Sequence, residues 1–435
     1  MRTIYANVQD SEDTTWLVSD AHASPWNHSE SDATTQSIIK TIGDEYSPLE
    51  HLGFKEYEGI INHCLPKPEA LAQTIVTLMA SLPNLPETFK AVRCSKPNNP
   101  WEIVEVPLRA PKGNEVLIRV HASGVCNSEH FVKEGTWPGL QYPRTPGHEV
   151  IGRVAAVGSG ILAAHGGTAR FQLGALVGAG WNGGYCNRCD VCRKGDYWTC
   201  PNGDFTGFTV DGGHAEYMYA PETMVIGIEE EALQKASYAE LAPLFCAGAT
   251  VFDAIRTTKW SPGDVCVVQG IGGLGHLAVQ FAAKMGLKVY AVSSGPSKKD
   301  LAMSLGAHEH IDSSSTDVVK YVQSLGGAQI IVCTAPYAKL ISDIIPAVAK
   351  NGTVTLVSAA TDKPIEVWNL TMNMNRATIR GWCCGCAQDM EECVKFATQT
   401  DIKTMVQEYT LDQFAHAYDA TMQNKARFRN VIVFK

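Results

Sequence analysis

The pattern of hydrophobic and polar residues changes twice along the chain. Residues 1 to 87 alternate Ser, Thr, Asp and Glu with scattered aromatics, and only Glu69–Leu82 carries apolar residues at the spacing of a helix. From Phe89 onward, short apolar runs are separated by Gly and Pro, a pattern typical of β-rich, barrel-like domains. The small, glycine-rich stretch Leu162–Ala169 interrupts these runs and indicates a surface insertion. The predicted strands of this region include Glu115–Val120, Val150–Val157 and Ala215–Ala220.

A different pattern begins after Pro243, where predicted strands and helices alternate. This order indicates a parallel, doubly wound sheet, because each helix carries the chain back to begin the next strand in the same direction. The sequence therefore predicts an α/β protein in which a β-rich domain accompanies a doubly wound one. The predicted strands are Val265–Gln269, Lys288–Val292, Gln329–Cys333 and Thr353–Val357. The predicted helices are His276–Met285, Lys298–Leu305 and Leu340–Ala349.

Charge and composition restrict the class of protein. With 435 residues, 45% of them hydrophobic and 19% charged, the chain has ordinary globular composition and enough length for two domains. The formal charge of −9 belongs to residues 1–87, which hold 13 acidic against 4 basic residues, whereas the remainder holds 32 of each. The main body therefore gives no electrostatic reason to expect nucleic acid or an anionic membrane. No apolar run approaches the roughly 18 residues that span a bilayer.

The cysteines and the acidic extension bear on location. Without a leading apolar segment, fourteen cysteines argue against secretion and a disulfide framework, and an acidic, arginine-poor start argues against mitochondrial import. We therefore expect a cytoplasmic protein with metal-bound thiolates. Three interpretations of the extension stay open, namely a loosely ordered tail, a docking segment and an upstream coding error. The first and the third are favoured.

Four of the cysteines lie close together in the sequence, in the pattern C-x2-C-x2-C-x7-C. They are Cys186, Cys189, Cys192 and Cys200. Four converging thiolates are typical of a closed, structural zinc site. Four unrelated buried cysteines are improbable at this spacing, and an iron–sulfur cluster would need the last cysteine after three residues instead of seven. A nucleic-acid-binding zinc module would need a basic face, but the acidic and basic residues between Trp181 and Phe205 balance.

A glycine-rich turn separates the first predicted strand and helix of the doubly wound region. Its G-x-G-x-x-G pattern is formed by Gly270, Gly272 and Gly275, with Gly273 and Leu274 inside it. The first glycine permits a tight turn, the second lets the backbone approach a pyrophosphate, and the third lets the helix pack against the strand. The alternative is a glycine-rich turn in a sheet that binds no ligand. The position between strand and helix favours dinucleotide binding.

The end of the next predicted strand discriminates between the two nicotinamide cofactors. An acidic residue there would bind both ribose hydroxyls of NAD. Here the strand ends in Ser293 and Ser294, and Lys298 follows closely. Hydroxyl and ammonium groups bind a 2′-phosphate, whereas a carboxylate would repel it. NADP(H) is therefore favoured and NAD(H) stays open, with a solvated helix face as the alternative interpretation of the lysine.

Three residues in distant segments are further candidate metal ligands. They are Cys126 in Gly124–His130, His148 in Pro146–Gly152 and Cys246 in Ala242–Thr250. Singly, such a cysteine is most often just a small buried hydrophobic residue. Together, two thiolates and an imidazole match the ligands of the catalytic zinc in alcohol dehydrogenases, and the grouping is borrowed from that known set rather than derived from spacing.

From about Phe89 to Lys435 the chain resembles the zinc-dependent medium-chain alcohol dehydrogenases. The G-H-E box at His148, the four-cysteine lobe, the Cys-Ala-Gly turn at Cys246 and the dinucleotide motif follow one another in the family's order. The resemblance implies a GroES-like catalytic domain, built from both ends of this region, with a Rossmann domain inserted between them. The implied segments are the extension at 1–87, the GroES-like domain with its zinc lobe at 88–247, the Rossmann domain at 248–385 and a return to the catalytic domain at 386–435.

The resemblance also implies two Zn²⁺ ions per subunit and assigns roles to individual residues. The four-cysteine lobe would hold the structural zinc. Ser128 matches the hydroxyl that passes the substrate proton toward the cofactor ribose, and Thr250 is expected to pack against the nicotinamide. The implied ligands of the catalytic zinc are Cys126, His148 and Cys246, with Glu149 as an occasional fourth.

Some positions depart from the family's pattern. Glu129 stands in place of the usual Asp and keeps the charge that orients a ligand histidine, with a longer reach. Phe131 stands where many members carry the histidine that ends the proton relay. Four further cysteines have a poor zinc spacing and are expected to be packing residues, namely Cys383, Cys384, Cys386 and Cys393.

We therefore predict reversible hydride transfer between NAD(P)(H) and an alcohol or carbonyl compound. Trp137, Trp181 and Phe205 are candidate walls of the substrate pocket or, equally, ordinary core, and an aromatic wall would favour a bulky primary alcohol or aldehyde. Besides this small molecule, the expected partner is a further copy of the chain, in a homodimer or homotetramer. Two alternatives remain: a zinc-free quinone or enoyl reductase of the same superfamily, and a non-catalytic cofactor-binding protein.

Overall fold

The computed structural model describes residues 85–164 and 169–435, without the side chains of residues 162–164. The predicted helix Glu69–Leu82 lies outside the described residues, as do nearly all of the acidic extension and most of the predicted insertion Leu162–Ala169. The statements below concern the described residues.

The chain divides into two compact units. One consists of Thr88–Pro107, Glu115–Val157 and Phe171–Lys435. It contains every β-strand and every site residue predicted above, so that the fold and the site are described within it. The described residues of the other unit are 85–87, Leu108–Asn114, 158–164 and 169–170. Inside this second unit the amide of Ile161 donates to the carbonyl of Gly113 at 3.2 Å. The predicted boundaries at 87, 247 and 385 stay predictions.

Seventeen β-strands lie in the described part of the chain. In chain order they are β1 (Thr88–Cys94), β2 (Trp101–Pro107), β3 (Glu115–Val125), β4 (Val150–Val157), β5 (Leu176–Ala179), β6 (Asn182–Gly184), β7 (Asp204–Phe205), β8 (Tyr217–Pro221), β9 (Val225–Gly227), β10 (Val265–Gln269), β11 (Lys288–Ser293), β12 (Glu309–Asp312), β13 (Ala328–Cys333), β14 (Val348–Leu356), β15 (Thr378–Gly381), β16 (Val406–Tyr409) and β17 (Arg429–Val433).

Twelve α-helices lie in the same residues, with short 3₁₀ turns between some of them. In chain order they are α1 (His130–Glu134), α2 (Ser159–Ala164), α3 (Asp190–Arg193), α4 (Tyr238–Leu241), α5 (Ala247–Arg256), α6 (Gly275–Lys284), α7 (Lys299–Ser304), α8 (Val318–Ser324), α9 (Ala338–Ile344), α10 (Asn369–Asn375), α11 (Ala387–Gln399) and α12 (Phe414–Met422).

Six strands form a parallel sheet in the order β12-β11-β10-β13-β14-β15. The central strands β10 and β13 are apolar and buried along most of their length, as expected when helices cover both faces of a parallel sheet. The doubly wound sheet predicted from the alternating pattern is therefore confirmed. The strand order reverses between β10 and β13, and ligands of such sheets bind beyond the carboxyl ends of the strands at this switch point.

Seven other strands form the second large sheet, which is mostly antiparallel. Its order is β16-β17-β3-β4-β5-β9, with β8 paired to the first part of β3. The eleven-residue strand β3 is central because it pairs with β4, β8 and β17. Since β17 is the last strand of the chain and β3 is among the first, the two ends of the region meet in one sheet, as the GroES-like prediction requires.

Some predicted elements differ from the structure. The predicted helix Leu340–Ala349 is too long, because α9 ends at Ile344 and the chain already enters β14 at Val348. Pro346 lies at the break and lacks the amide hydrogen that would continue the helix. The elements β12, α8 and β15 were not predicted, since each is short and partly exposed and therefore lacks a strong periodic signal.

No single helix among the described residues is long and apolar enough to cross a membrane. One bent pair passes that test by length and composition, namely Tyr238–Phe245 with Ala247–Arg256, which meet at 53°. Most residues of both segments are buried within the folded unit.

The aromatic packing around α6 should contribute strongly to stability. Phe281 is fully buried, and its ring lies 5.3 Å from that of Phe252 and 6.0 Å from that of Phe396. Phe281→Ala should lower the free energy of unfolding by about 3–5 kcal/mol, measured by urea denaturation. The control Met303→Ala, at a 43% exposed position on α7, should change it by less than about 0.5 kcal/mol. Equal effects of the two substitutions would contradict the assigned packing.

Candidate active site and metal centres

Four potential metal ligands from three segments meet at one place. Cys126 follows β3, His148 and Glu149 precede β4, and Cys246 precedes α5. One ligand atom from each of these residues lies within 4.8 Å of the others. The structure therefore brings together the whole set that the sequence suggested for a catalytic zinc.

The geometry of this cluster, called here the catalytic cluster, fits a tetrahedral zinc. The sulfur atoms of Cys126 and Cys246 are 3.9 Å apart, and two sulfurs about 2.3 Å from one zinc ion in a tetrahedron are separated by about 3.8 Å. His148 is fully buried, yet neither of its ring nitrogens has a hydrogen-bond partner. A buried imidazole without partners is rare in a folded protein. A metal bound to one of the two nitrogens would account for it.

Charges are strongly coupled within the catalytic cluster. A hydrogen bond with the Cys246 thiol lowers the pKa of Cys126 well below its ordinary value. Burial alone would lower the pKa of His148, but the neighbouring Cys126 thiolate outweighs burial and raises that pKa to about 9. Burial raises the pKa of Glu149 to about 7, against the opposing effect of Arg429. The cluster thus stabilises thiolate together with a cation, which is the charge arrangement that a divalent metal ion would take over.

Arg429 was missed in the sequence, although it is central to the site. Its guanidinium is almost completely buried and forms a salt bridge with the Glu149 carboxylate. The same side chain borders the glycine turn, since a Cβ atom placed on Gly273 would lie 2.8 Å from Nη1 of Arg429. Arg429 therefore connects the catalytic cluster with the predicted dinucleotide site. The only signal in the sequence was a cation at the start of an apolar strand, which no motif marked as functional.

The glycine turn has the geometry that its pattern predicts. Gly270 adopts a φ of +96°, which favours glycine. A Cβ atom on Gly275 would lie 1.9 Å from the carbonyl oxygen of Gly270, whereas one on Gly272 would meet nothing within 4 Å. Leu274 is the N-cap of α6, so the helix N-terminus follows the turn directly. The space next to Gly272 is consistent with close approach of a phosphate to the backbone.

The residues predicted to select the cofactor lie at the end of β11, as expected. The hydroxyl of Ser293 is 2.8 Å from Nε2 of His310, and Ser294 is exposed. Lys298 donates from Nζ to the carbonyl oxygen of Ile271 at 2.7 Å, and burial lowers its pKa. Because Ile271 belongs to the glycine turn, the ammonium group of Lys298 lies at the predicted cofactor site.

The prediction that Glu129 orients the ligand histidine is wrong, because Glu129 has a different hydrogen-bond partner. Oε1 of Glu129 lies 2.7 Å from Nε2 of His214, and it does not hydrogen-bond to His148. His214 belongs to a different loop, 85 residues further along the chain. His214 was missed because nothing in its local sequence relates it to the other site residues.

Ser128 and Thr250 both lie beside the catalytic cluster. The hydroxyl of Ser128 donates to the Cys126 sulfur at 3.2 Å. The hydroxyl of Thr250 is buried and accepts a hydrogen bond from the amide of Cys384 at 3.0 Å, and it lies 3.3 Å from that residue's sulfur. Cys384 also interacts with Cys246. Cys384 and Cys393 are buried, as predicted for packing residues, but Cys383 is exposed, so that prediction was wrong for it.

An aromatic cluster packs against His148. The ring of Trp181 stands at right angles to the imidazole, with 4.8 Å between centroids. The ring centroid of Trp137 lies 5.5 Å from that of Trp181 and 5.3 Å from that of Phe205. The ring centroid of Phe131 lies 5.7 Å from that of Trp137. The three aromatic residues that the sequence singled out are therefore neighbours of one another, and one of them touches a candidate metal ligand.

The second group of candidate ligands is the four-cysteine lobe. Its sulfurs all lie within 4.8 Å of one another. The sulfur of Cys200 is 3.8 Å from that of Cys189 and 3.6 Å from that of Cys186, close to the separation of about 3.8 Å expected around a tetrahedral zinc. Backbone amides at Arg188 and Cys189 lower the pKa of Cys186 to about 6, which favours the thiolate needed to bind a metal. The lobe fits a closed zinc site.

Comparison with known proteins agrees with this geometry. Two family models match the chain, one for an alcohol dehydrogenase GroES-like domain over residues 112–230 and one for a zinc-binding dehydrogenase over residues 273–399. The alcohol dehydrogenase patD of Penicillium expansum is 38% identical over 347 residues, which cover 80% of this chain and 98% of that protein. The chain belongs to the zinc-type medium-chain alcohol dehydrogenase family.

Other relatives of this alcohol dehydrogenase indicate the reaction class and the fold. The aldehyde reductase YahK of Escherichia coli is 31% identical over 355 residues, covering 79% of this chain and 97% of that protein. The solved structure of a cinnamyl alcohol dehydrogenase from Sorghum bicolor superposes with a TM-score of 0.70 at 25% identity, covering 80% of this chain and 97% of that one. The protein is thus an oxidoreductase of the alcohol dehydrogenase and aldehyde reductase class, with GroES-like and Rossmann domains.

The glycine turn of this dehydrogenase allows a matched pair of substitutions. Gly275→Ala would force a backbone clash with the carbonyl of Gly270 and should lower the free energy of unfolding by about 1–3 kcal/mol. Gly272→Ala meets no neighbouring atom and should leave stability within about 0.5 kcal/mol of wild type. Chemical denaturation of both variants tests this difference, and a Gly275→Ala variant as stable as wild type would refute the close helix–strand contact.

Proposed function

We propose that this dehydrogenase is a zinc- and NADP-dependent enzyme that interconverts a bulky primary alcohol and its aldehyde. The observation that carries the proposal is the set of two partly buried sulfurs and a fully buried imidazole whose nitrogens have no partner. When bound there, zinc would supply a Lewis acid to the substrate oxygen, and the nicotinamide would accept or deliver the hydride.

Cys126, His148 and Cys246 would hold the catalytic zinc. Glu149 lies within reach as an occasional fourth ligand. Its salt bridge to Arg429 compensates the charge of the carboxylate when Glu149 is not bound to the metal. This pairing matters because an unpaired buried carboxylate is strongly destabilising. The cysteine lobe at 186–200 would hold a second, structural zinc, which gives two ions per chain.

Ser128 would move the substrate proton. Its hydroxyl lies 3.2 Å from the Cys126 sulfur, so that a substrate oxygen near the same cluster is within hydrogen-bond reach. In alcohol oxidation Ser128 accepts the hydroxyl proton of the substrate and passes it toward the cofactor ribose; in aldehyde reduction it returns a proton to the developing alkoxide. Thr250 holds Cys384 and thereby shapes the loop beside the cluster.

The cofactor would lie over the glycine turn. Gly270, Gly272, Gly273, Leu274 and Gly275 would surround the pyrophosphate, and Arg429 beside Gly273 would help to neutralise it. At the end of β11, Ser293, Ser294 and Lys298 would bind the 2′-phosphate. Lys298 would then exchange the carbonyl of Ile271 for the phosphate, a stronger acceptor. This arrangement favours NADP(H) over NAD(H).

The substrate preference follows from the aromatic cluster beside His148. Trp181 packs against the candidate ligand His148, and Trp137 and Phe205 pack against Trp181 and against each other. Aromatic walls stabilise a bulky, preferably unsaturated or aromatic, side chain of the substrate by burial and ring contacts.

We further propose that the enzyme is a cytoplasmic homodimer or homotetramer. A helix and its flank next to the edge strand β15 expose large apolar side chains, namely Trp368 at 76%, Leu370 at 65% and Met374 at 71%. Such a patch is typical of an interface. All cysteines in the described residues are free of disulfide bonds, which supports a reducing compartment.

Removal of one zinc ligand should abolish zinc binding at the catalytic cluster without unfolding the protein. Cys246→Ser should lower kcat/KM at least about a thousandfold, because the Lewis acid supplies several kcal/mol of transition-state stabilisation. The zinc content, measured by elemental analysis, should fall from two ions per chain to one. The matched control Cys386→Ser, at the N-cap of α11, should keep both ions and full activity. A Cys246→Ser variant that retains most activity refutes the ligand assignment.

Cofactor selection is tested by removing one charge. Lys298→Ala should raise the KM for NADPH about tenfold and leave that for NADH nearly unchanged, because only the former carries the 2′-phosphate. The control Lys288→Ala, at the opposite end of β11, should affect neither. Stopped-flow or steady-state oxidation of both cofactors measures the ratio. Preference of the wild type for NADH would overturn the assignment to NADP(H).

A further inference from the structure

We infer that Glu129 and His214 form a positioning pair that holds two of the zinc-binding segments in register. The inference rests on the proposed catalytic zinc. It assigns to Glu129 an indirect action on His148 through the backbone of another loop, in place of a direct hydrogen bond to that ligand.

Backbone hydrogen bonds attach the His214 loop to the His148 segment. The amide of Gly212 donates to the carbonyl of Thr145 at 2.8 Å, that of Gly213 to Gly147 at 3.0 Å, and that of His214 to Pro146 at 3.0 Å. Three consecutive backbone bonds make residues 212–214 a strap along residues 145–147. The strap therefore ends directly before the ligand His148.

His214 packs closely against Gly147. Gly147 adopts a φ of +107°, and a Cβ atom there would lie 2.7 Å from the amide nitrogen of His214 and 2.9 Å from its ring carbon Cγ. On another side, the ring of Phe414 packs against the imidazole at a tilt of 54°, with 4.7 Å between ring centroids. The imidazole is thus confined between two elements and cannot shift without moving the residue that precedes His148.

Glu129 links His214 to the Cys126 segment. Oε1 of Glu129 accepts hydrogen bonds from Nε2 of His214 at 2.7 Å and from the backbone amide of Cys126 at 3.3 Å. Glu129 and His214 are both fully buried. One buried carboxylate therefore joins the loop of one zinc ligand to the segment of another.

The consequence is a site that is arranged before the metal binds. Two segments that are distant in sequence are held together by the pair instead of by the ion alone. Partners of this kind typically change metal affinity 10- to 100-fold when they are removed.

Zinc affinity, measured by competition with a chromophoric chelator, tests the inference. His214→Ala and Glu129→Ala should each weaken binding at the catalytic site about 10- to 100-fold, and the double variant should be no weaker than either single one, because the two residues act as a unit. Glu129→Gln keeps an acceptor oxygen for both hydrogen bonds and should therefore retain most of the wild-type affinity. The control His121→Ala removes a histidine of β3 that stacks on Tyr238 of α4 and should leave zinc affinity unchanged.

A spectroscopic readout distinguishes positioning from general destabilisation. In the cobalt-substituted protein, loss of the pair should shift the thiolate and d–d absorption bands of the catalytic site, while His121→Ala should leave them unchanged. Additive losses in the double variant, or wild-type affinity in both Glu129→Ala and His214→Ala, would overturn the inference. A wild-type protein that binds one zinc ion, unaffected by Cys246→Ser, would instead refute the proposed catalytic metal itself.

Discussion

Burial of ionisable groups is the constraint on which the centre of this dehydrogenase depends. His148, Glu149 and Arg429 lie together where almost no water reaches them, with the partly buried Cys126 beside them, and an uncompensated charge in such a place would strongly destabilise the fold. Each charge therefore has an assigned counterpart: Arg429 for Glu149, and the thiolate of Cys126 for whatever cation occupies the ligand cluster. The fold tolerates the cluster only because its net charge is balanced by groups from opposite ends of the chain.

This balance explains why the last strand belongs to the catalytic sheet. In the antiparallel register of β17 and β3, Asn430 pairs with Val125. Arg429 and Cys126 are the next residues at that end of the ladder, so strand pairing itself brings the guanidinium to the ligand segment. The hydrogen bonds of the sheet thereby place a buried cation that no local sequence feature would position.

Much of this arrangement could be predicted from sequence, and what could not has a common physical reason. The strand β10, the glycine turn and the cysteine lobe are local patterns, in which spacing alone determines which atoms can meet. Cys126, His148 and Cys246 were grouped only through a known ligand set, since their spacing carries no geometry. His214 and Arg429 act over long distances in sequence, and their local surroundings resemble those of ordinary loop and strand residues. The role of Glu129 was misassigned because its hydrogen-bond partner, His214, lies 85 residues away in the sequence.

The same comparison shows where the specific character of this enzyme lies. The features common to its family are the ones that local motifs encode, whereas the contacts around them arise from tertiary packing of less conspicuous residues. Glu129 accepts from both His214 and the Cys126 amide, and Arg429 contacts Glu149 while bordering Gly273. Each of the two therefore couples one candidate ligand segment to a second part of the site. Because these couplings are made through rigid, buried groups rather than through mobile loops, a change at one partner should be transmitted to the metal ligands instead of being absorbed locally.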